Sequence, residues 1–193
     1  MLKINLEILE RKITYLFFEN RKRSFNIKQI KYFAGKKTDN KELLKILFSI
    51  ARKGYIIDQG RGKYIYNKSK KYLVGKLTRR NKFLVDLEAS TKFKLSKKDK
   101  YGLLPNDLVY YFIDKKGNIK VACLKHRELI KYVGIIKKEK GINYLKNTSI
   151  DLDIIVSGKC EENDMVTAHI TDWKYNTPEG KILKVIGNKK DTN

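Results

Sequence analysis

Three stretches of this 193-residue sequence interleave cations with aromatic rings: KYFAGKK (31–37), GRGKYIYNKSKKY (60–72) and TRRNKFLVD (78–86). Phosphates need cations, and unstacked bases need aromatic faces, so the chemistry these stretches offer is nucleic-acid binding. Arg61 and Lys63 sit beside Gly60 and Gly62, a flexible pair that lets a sugar-phosphate backbone come close. Tyr64 and Tyr66 have two readings, stacking on bases or packing their own segment onto neighbouring helices. Arg79, Arg80 and Lys82 share one strand-like run with Phe83. Alternation sends Arg80 and Lys82 to one face and Arg79 and Phe83 to the other, so all four cannot share a surface. Lys97, Lys98 and Lys100 form a loop cluster that suits solvent as well as phosphate.

Residues able to break bonds are sparse. The two histidines, His126 and His169, have no carboxylate or nucleophile at a recognisable spacing. Asp151 and Asp153 fall on one side of a strand and could share a divalent cation, but no third acid is within reach by sequence. Gly60-Arg61-Gly62 and Gly141 form no phosphate-cradling motif. Cys123 and Cys160 stand apart, without a CxxC pair or a nearby histidine, and read as ordinary strand residues of a reducing, cytoplasmic compartment. The expectation is a chain with no catalytic residue, metal or cofactor.

Charge carries the same message more broadly. Forty-four Lys and Arg face 21 Asp and Glu, a net +23. Residues 1–70 hold 18 bases and 6 acids, residues 71–130 hold 15 and 6, and residues 131–193 hold 11 and 9. So large an excess opposes compaction through self-repulsion and favours a polyanionic partner. No run approaches 18 apolar residues, which leaves no transmembrane helix to predict. Glu7 and Glu10 interrupt any signal-peptide core.

The elements that must hold these residues change character along the chain. Ile4, Ile8, Ile13, Leu16 and Phe17 recur at helical spacing. A second helix is predicted from Ser24, with Ile27, Ile30 and Phe33 on one side and Gly35 at its end. A third opens at Thr38-Asp39-Asn40, carries Leu43, Leu44, Leu47, Phe48 and Ala51, and stops at Gly54. YIIDQGRGKYIYN then reads as a hairpin.

Beyond it the pattern is all strand, and it repeats. Val74-Gly75 recurs as Val133-Gly134, Asn106-Asp107-Leu108-Val109 as Asn163-Asp164-Met165-Val166, and Gly117 as Gly180. Tyr110 and Tyr111 straddle both faces of one strand, so one of them belongs to the core. Five short strands in roughly 60 residues suit an OB-type barrel, with a bipartite β-sandwich as the rival. The reading is a multidomain α+β chain: a winged helix-turn-helix over 1–68, and OB or cold-shock-like units over 71–128 and 131–190.

This order of parts resembles the N-terminal region of the ribonuclease R / ribonuclease II exoribonucleases. NDMVTAHITDWKYNTPEGKILKVIGNKKD (163–191) is similar to the closing strands of that family's second cold-shock domain, and DLDIIVSG (151–158) to a preceding strand and turn. FNIKQIKYFAG and ARKGYIIDQGRGKYIYN resemble its helix-turn-helix and wing. The resemblance implies a fold of winged helix plus two OB barrels, with RNA as partner. The family's catalytic aspartates belong to a further domain beyond Asp191, so no catalytic residue is carried over. Cold-shock domains also carry a K-G-F-G-F-V strand with stacking phenylalanines. Its counterpart here is Lys140-Gly141-Ile142-Asn143-Tyr144-Leu145, which keeps the lysine, the glycine and one aromatic.

The expected binding residues are therefore Arg61, Lys63, Arg79, Arg80, Lys82, Lys140 and Tyr144. The expected partner is single-stranded or partly structured RNA, with a nuclease or the ribosome as possible associates. A DNA-binding regulator with a β dimerisation or ligand module is the alternative, and a docking protein of the ribosome or degradation machinery is a third reading.

Overall fold

The computed structural model describes residues 2–35, 38–78, 82–127, 131–147, 150, 152–174 and 177–188. The chain opens with helix α1 (Leu2–Glu19), strand β1 (Ser24–Asn26), helices α2 (Ile27–Ala34) and α3 (Asn40–Arg52), and strands β2 (Ile56–Asp58) and β3 (Lys63–Tyr66). The three strands form an antiparallel sheet in the order β1-β3-β2. The helix expected from Ser24 starts three residues later. Asn26 accepts from the Gln29 N–H at 2.9 Å and the Gln29 side chain accepts from the Asn26 N–H at 3.0 Å, a capping box that fixes the start of α2. Upstream of that cap, Ser24–Asn26 pairs with β3 and buries Phe25.

Ile13, Leu16, Phe17 and Phe18 of α1 pack with Leu43, Ile46, Leu47 and Ile50 of α3. Tyr64 and Tyr66 are buried in the same core, so of the two readings for these rings the packing one holds.

Two five-strand units follow. The first comprises β4 (Leu73–Leu77), β5 (Phe83–Asp86), β6 (Lys92–Lys94), a 3-10 turn (Lys98–Lys100), β7 (Leu108–Ile113) and β8 (Ile119–His126). The second comprises β9 (Lys131–Glu139), β10 (Ile142–Lys146), β11 (Ile154–Ser157), β12 (Asp164–Lys174) and β13 (Thr177–Asn188). The repeat is visible in the hydrogen bonds. Leu77 pairs with Leu84 as Ile136 pairs with Leu145, all four side chains being buried. The Asn106 N–H donates to the Leu77 carbonyl and the Asn163 N–H to the Ile136 carbonyl, each at 3.0 Å. Both asparagines are left-handed, with φ of 68° and 72°. Asp107 then accepts from the Leu104 N–H and Asp164 from the Glu161 N–H, each at 2.7 Å. The third sequence marker fails, because Gly117 lies in the β7–β8 turn whereas Gly180 lies inside β13.

The units differ in closure. The second is a closed barrel, β10-β11-β13-β12-β9, sealed by parallel pairing of β11 with β13. The first is an OB-like sheet, β6-β5-β4-β7-β8, that stays open between β6 and β8 instead of forming the expected barrel. A side chain stands in for the missing ladder: the Val121 N–H of β8 donates to Asp99 Oδ1 at 3.1 Å. The Asp99 carboxylate also accepts from the Ser96 hydroxyl. Helix α1 covers the same edge. Arg11 donates to the carbonyls of Lys98 and Asp99 at 3.1 Å each and to that of Tyr101.

The three parts share side chains. Tyr110 packs into the core of the helical part beside Phe18, while Tyr111 is buried inside the first β unit, so both tyrosines are core residues, in two different cores. Leu104 leaves the first unit to join the core of the second. Lys70 lies over the rings of Phe112 and Tyr55 at 3.9 and 5.0 Å, bridging the helical part and the first unit. Among the described residues no helix is long and apolar enough to cross a membrane.

Candidate nucleic-acid interface

In the first β unit, Leu77, Leu84 and Phe93 face inward. Alternation therefore turns Lys76, Phe83, Val85, Lys92 and Lys94 to the outer face. Phe83 pairs with Lys94, and Val85 pairs with both Lys92 and Lys76. The Lys92 ammonium sits 4.4 Å from the centre of the Phe83 ring. Lys82 is exposed immediately before β5, and Lys76, Lys82, Lys92 and Lys94 make no ion pair among the described residues. The result is a half-buried ring ringed by free ammonium groups, suited to one stacked base and its flanking phosphates.

The second barrel keeps the ring and loses the free charge. Because Leu145 corresponds to Leu84 in the pairing register, Tyr144 corresponds to Phe83. Lys146 lies 5.5 Å from the Tyr144 ring, as Lys92 does near Phe83. However, Lys146 is held by Asp153 at 2.5 Å and Glu139 at 3.6 Å. The hydrogen bond it donates to Asp153 raises the Lys146 ammonium above the ordinary lysine range. Lys137, opposite Tyr144, donates to Asn163 at 2.7 Å and reaches Glu162 at 3.4 Å, and Lys138 pairs with Glu161 at 3.2 Å.

The residues expected from the sequence are scattered over three sheets. Arg61 and Lys63 occupy the β2–β3 hairpin, which is tightly bonded rather than flexible. Asp58 accepts from the Gly60 N–H at 2.8 Å, the Lys63 N–H donates to the Gly60 carbonyl at 3.1 Å, and Arg61 itself is left-handed with φ of 51°. A Cβ on Gly62 would come within 3.1 Å of Ile27, so the tip rests on the first residue of α2. The run around Lys82 is not one strand: β4 ends at Leu77, β5 begins at Phe83, and the Thr78 N–H donates to the Phe83 carbonyl at 2.9 Å across their connection. Arg79 and Arg80 lie outside the described residues. Lys140 and Gly141, with φ of 49° and 76°, form the turn between β9 and β10, so Lys140 and Tyr144 belong to a turn and a strand rather than to one strand.

Lys76, Lys92 and Lys94 were missing from the expected set. The alternation Lys92-Phe93-Lys94 and the match of Leu84 to Leu145 were the available signals. Neither cysteine is activated, since burial raises both thiols above their usual range; Cys160 lies in the loop after β11 rather than on a strand. Asp153 is engaged by Lys146, and Asp151 lies outside the described residues. Among the described residues no three His, Cys, Asp or Glu side chains gather as metal ligands.

Comparison with known proteins adds a family match over part of the chain. No curated protein matches. Among solved structures, Mycoplasma genitalium RNase R in complex with ribose-methylated single-stranded RNA is similar at 19% identity, over 63% of this chain and 22% of its own, with a TM-score of 0.47. Yeast Ssd1, a pseudonuclease, is similar at 12% identity, over 74% of this chain and 24% of its own, with a TM-score of 0.49. The chain thus spans less than a quarter of either protein. Residues 145–193 match the cold shock domain family, a span that begins within β10 and takes in β11, β12 and β13.

Proposed function

We propose that the chain is an RNA-binding module that grips single-stranded or partly structured RNA without a catalytic centre of its own. In this reading residues 1–68 act as a winged helix, and 71–128 and 131–190 as two OB-type units, together resembling the substrate-binding front of a 3′–5′ exoribonuclease. The carrying observation is the outer face of the first β unit, where Phe83 is surrounded by Lys76, Lys82, Lys92 and Lys94, none of which meets a neutralising acid among the described residues. A ring flanked by free cations needs an unpaired base to stack, which favours single strands over duplex. The cold shock match over the second barrel supports the same reading.

Fluorescence anisotropy with labelled oligouridylate tests the proposal. Four neutralised phosphates give a slope of about −3 in log affinity against log salt for a single strand. Phe83→Ala removes one stacking contact and costs roughly 1–3 kcal/mol of binding. A salt-independent affinity, or an unchanged affinity in Phe83→Ala, refutes it.

A further inference from the structure

We propose that the cleft where α1 meets both β units binds a nucleoside monophosphate, at a site separate from the Phe83 face. The cleft has a volume of about 450 Å³, within the roughly 300–1,000 Å³ typical of small-molecule sites. Ile8 of α1 and Leu103 and Leu124 of the first unit supply apolar wall, and Tyr15 and Trp173 supply rings. Lys125, His126 and Arg127 line it together with Arg11 and Lys12. Among the described residues no acid lines it, whereas the adjoining cavities include Glu7 and Glu10.

One wall is fixed before any ligand arrives. Arg127 is clamped by Asp107 at 2.8 and 2.6 Å and donates to the Gly102 carbonyl at 3.0 Å. Trp173 is only 9% exposed, yet its indole N–H donates to no group among the described residues. The Tyr15 hydroxyl likewise has no hydrogen-bond partner among them. Burial raises the Tyr15 phenol above its usual range, which keeps it a neutral donor. Lys125 meets no carboxylate among the described residues, and its ammonium lies 5.5 Å from the Tyr110 ring.

Each feature selects part of the ligand. Flat apolar walls with two rings fit a planar heterocycle. Donors without partners fit its ring nitrogens and carbonyl oxygens. Lys125, whose ammonium meets no carboxylate among the described residues, fits a phosphate. A nucleoside monophosphate combines the three, either as a free nucleotide or as the terminal unit of an RNA strand.

Trp173 is the only tryptophan in the chain, so its emission reports this cleft. AMP, adenosine and inorganic phosphate are titrated separately into the full chain. A saturable change with AMP, with a dissociation constant below about 1 mM, is expected. The Lys125→Ala/His126→Ala double variant should weaken AMP by about tenfold or more and leave the adenosine response unchanged. Phe83→Ala should leave the AMP titration intact, which separates failure of this site from failure of the RNA-binding face. Short oligonucleotides phosphorylated at the 5′ or 3′ end then compete with AMP. Displacement identifies an RNA terminus as the source, and its absence identifies the free nucleotide. The proposal is overturned if Trp173 emission shows no saturable change up to about 10 mM AMP, or if the double variant binds AMP as the parent does.

Discussion

Replacing Asp99 by alanine should open the first β unit, and the size of the effect follows from three contacts. The Asp99 side chain is 6% exposed, and its Oδ1 is the acceptor for the Val121 N–H on the free edge of β8. Without it that amide is buried and unpaired, at a cost of about 1–3 kcal/mol. The Ser96 hydroxyl loses its acceptor too, but a hydroxyl can turn toward another. Arg11 keeps its carbonyl partners but loses the carboxylate that most favours its charge. The total is about 2–4 kcal/mol, whereas Asp99→Asn, which retains an acceptor oxygen, should cost about 1 kcal/mol. Urea unfolding measures the loss as a midpoint shift of about 1 M or more for the alanine variant. Amide exchange adds a local test, in which Val121 should lose protection before the β4–β5 amides do. If Asp99→Ala unfolds with the parent and Val121 stays protected, the carboxylate does not replace the missing ladder, and α1 alone holds the edge.

The remaining predictions concern the repeat and its acids. Arg127→Met strips the Asp107 carboxylate, 1% exposed, of its cation and should cost roughly 3 kcal/mol. Asp164→Asn should cost only about 1 kcal/mol by thermal melting, because the matching partner there is the neutral Asn188 amide at 2.9 Å. A Cβ on Gly134 would fall 2.4 Å from the Lys146 carbonyl, and one on Gly75 would fall 2.4 Å from the fully buried Leu84 side chain and 3.1 Å from the Val85 carbonyl. Gly134→Ala and Gly75→Ala should therefore each cost about 1–3 kcal/mol by thermal melting. Hydrogen bonds from the Ala89 N–H and the Tyr111 hydroxyl hold Asp86 below the usual carboxylate range. That contribution is present above the unfolded value near pH 4 and is lost as pH falls through the lower folded value. Stability measured against pH should show an acid limb that Asp86→Asn reduces; an unchanged limb would assign it to other groups such as Asp114.

The sequence was most legible where a residue type has one local use. Asp39 caps α3, the β2–β3 hairpin stands where its glycines suggested, and Asn106-Asp107 and Asn163-Asp164 make the same turn twice. Local pattern failed where the deciding partner is remote. Ser24–Asn26 has helical neighbours, but β3, about 40 residues later, makes it a strand. The open edge of the first unit depends on Asp99, Val121 and Arg11, which no periodicity connects. The candidate site divided the same way. Tyr144 was visible as an aromatic remnant of a known strand. Strict alternation puts Phe83 opposite Lys82, but β5 begins only at Phe83, and Lys92 and Lys94 reach it through cross-strand pairing.

The two units show why net charge alone is a coarse guide to a binding face. They share topology up to closure, the same buried leucine pair position, and an aromatic at the same outer position with a lysine over its ring. What separates them is where the acids went. Glu139, Asp153, Glu161 and Glu162 sit against Lys146, Lys137 and Lys138, so phosphate would have to displace carboxylates already in place. Around Phe83 no such exchange is needed, and counterion release can act in full. The fall in charge toward the C-terminus is thus a difference in the availability of lysines around one conserved geometry. Under the proposed function it puts the electrostatic grip on the unit whose sheet is open, and leaves the closed, cold-shock-matching barrel to contribute a ring with little free charge.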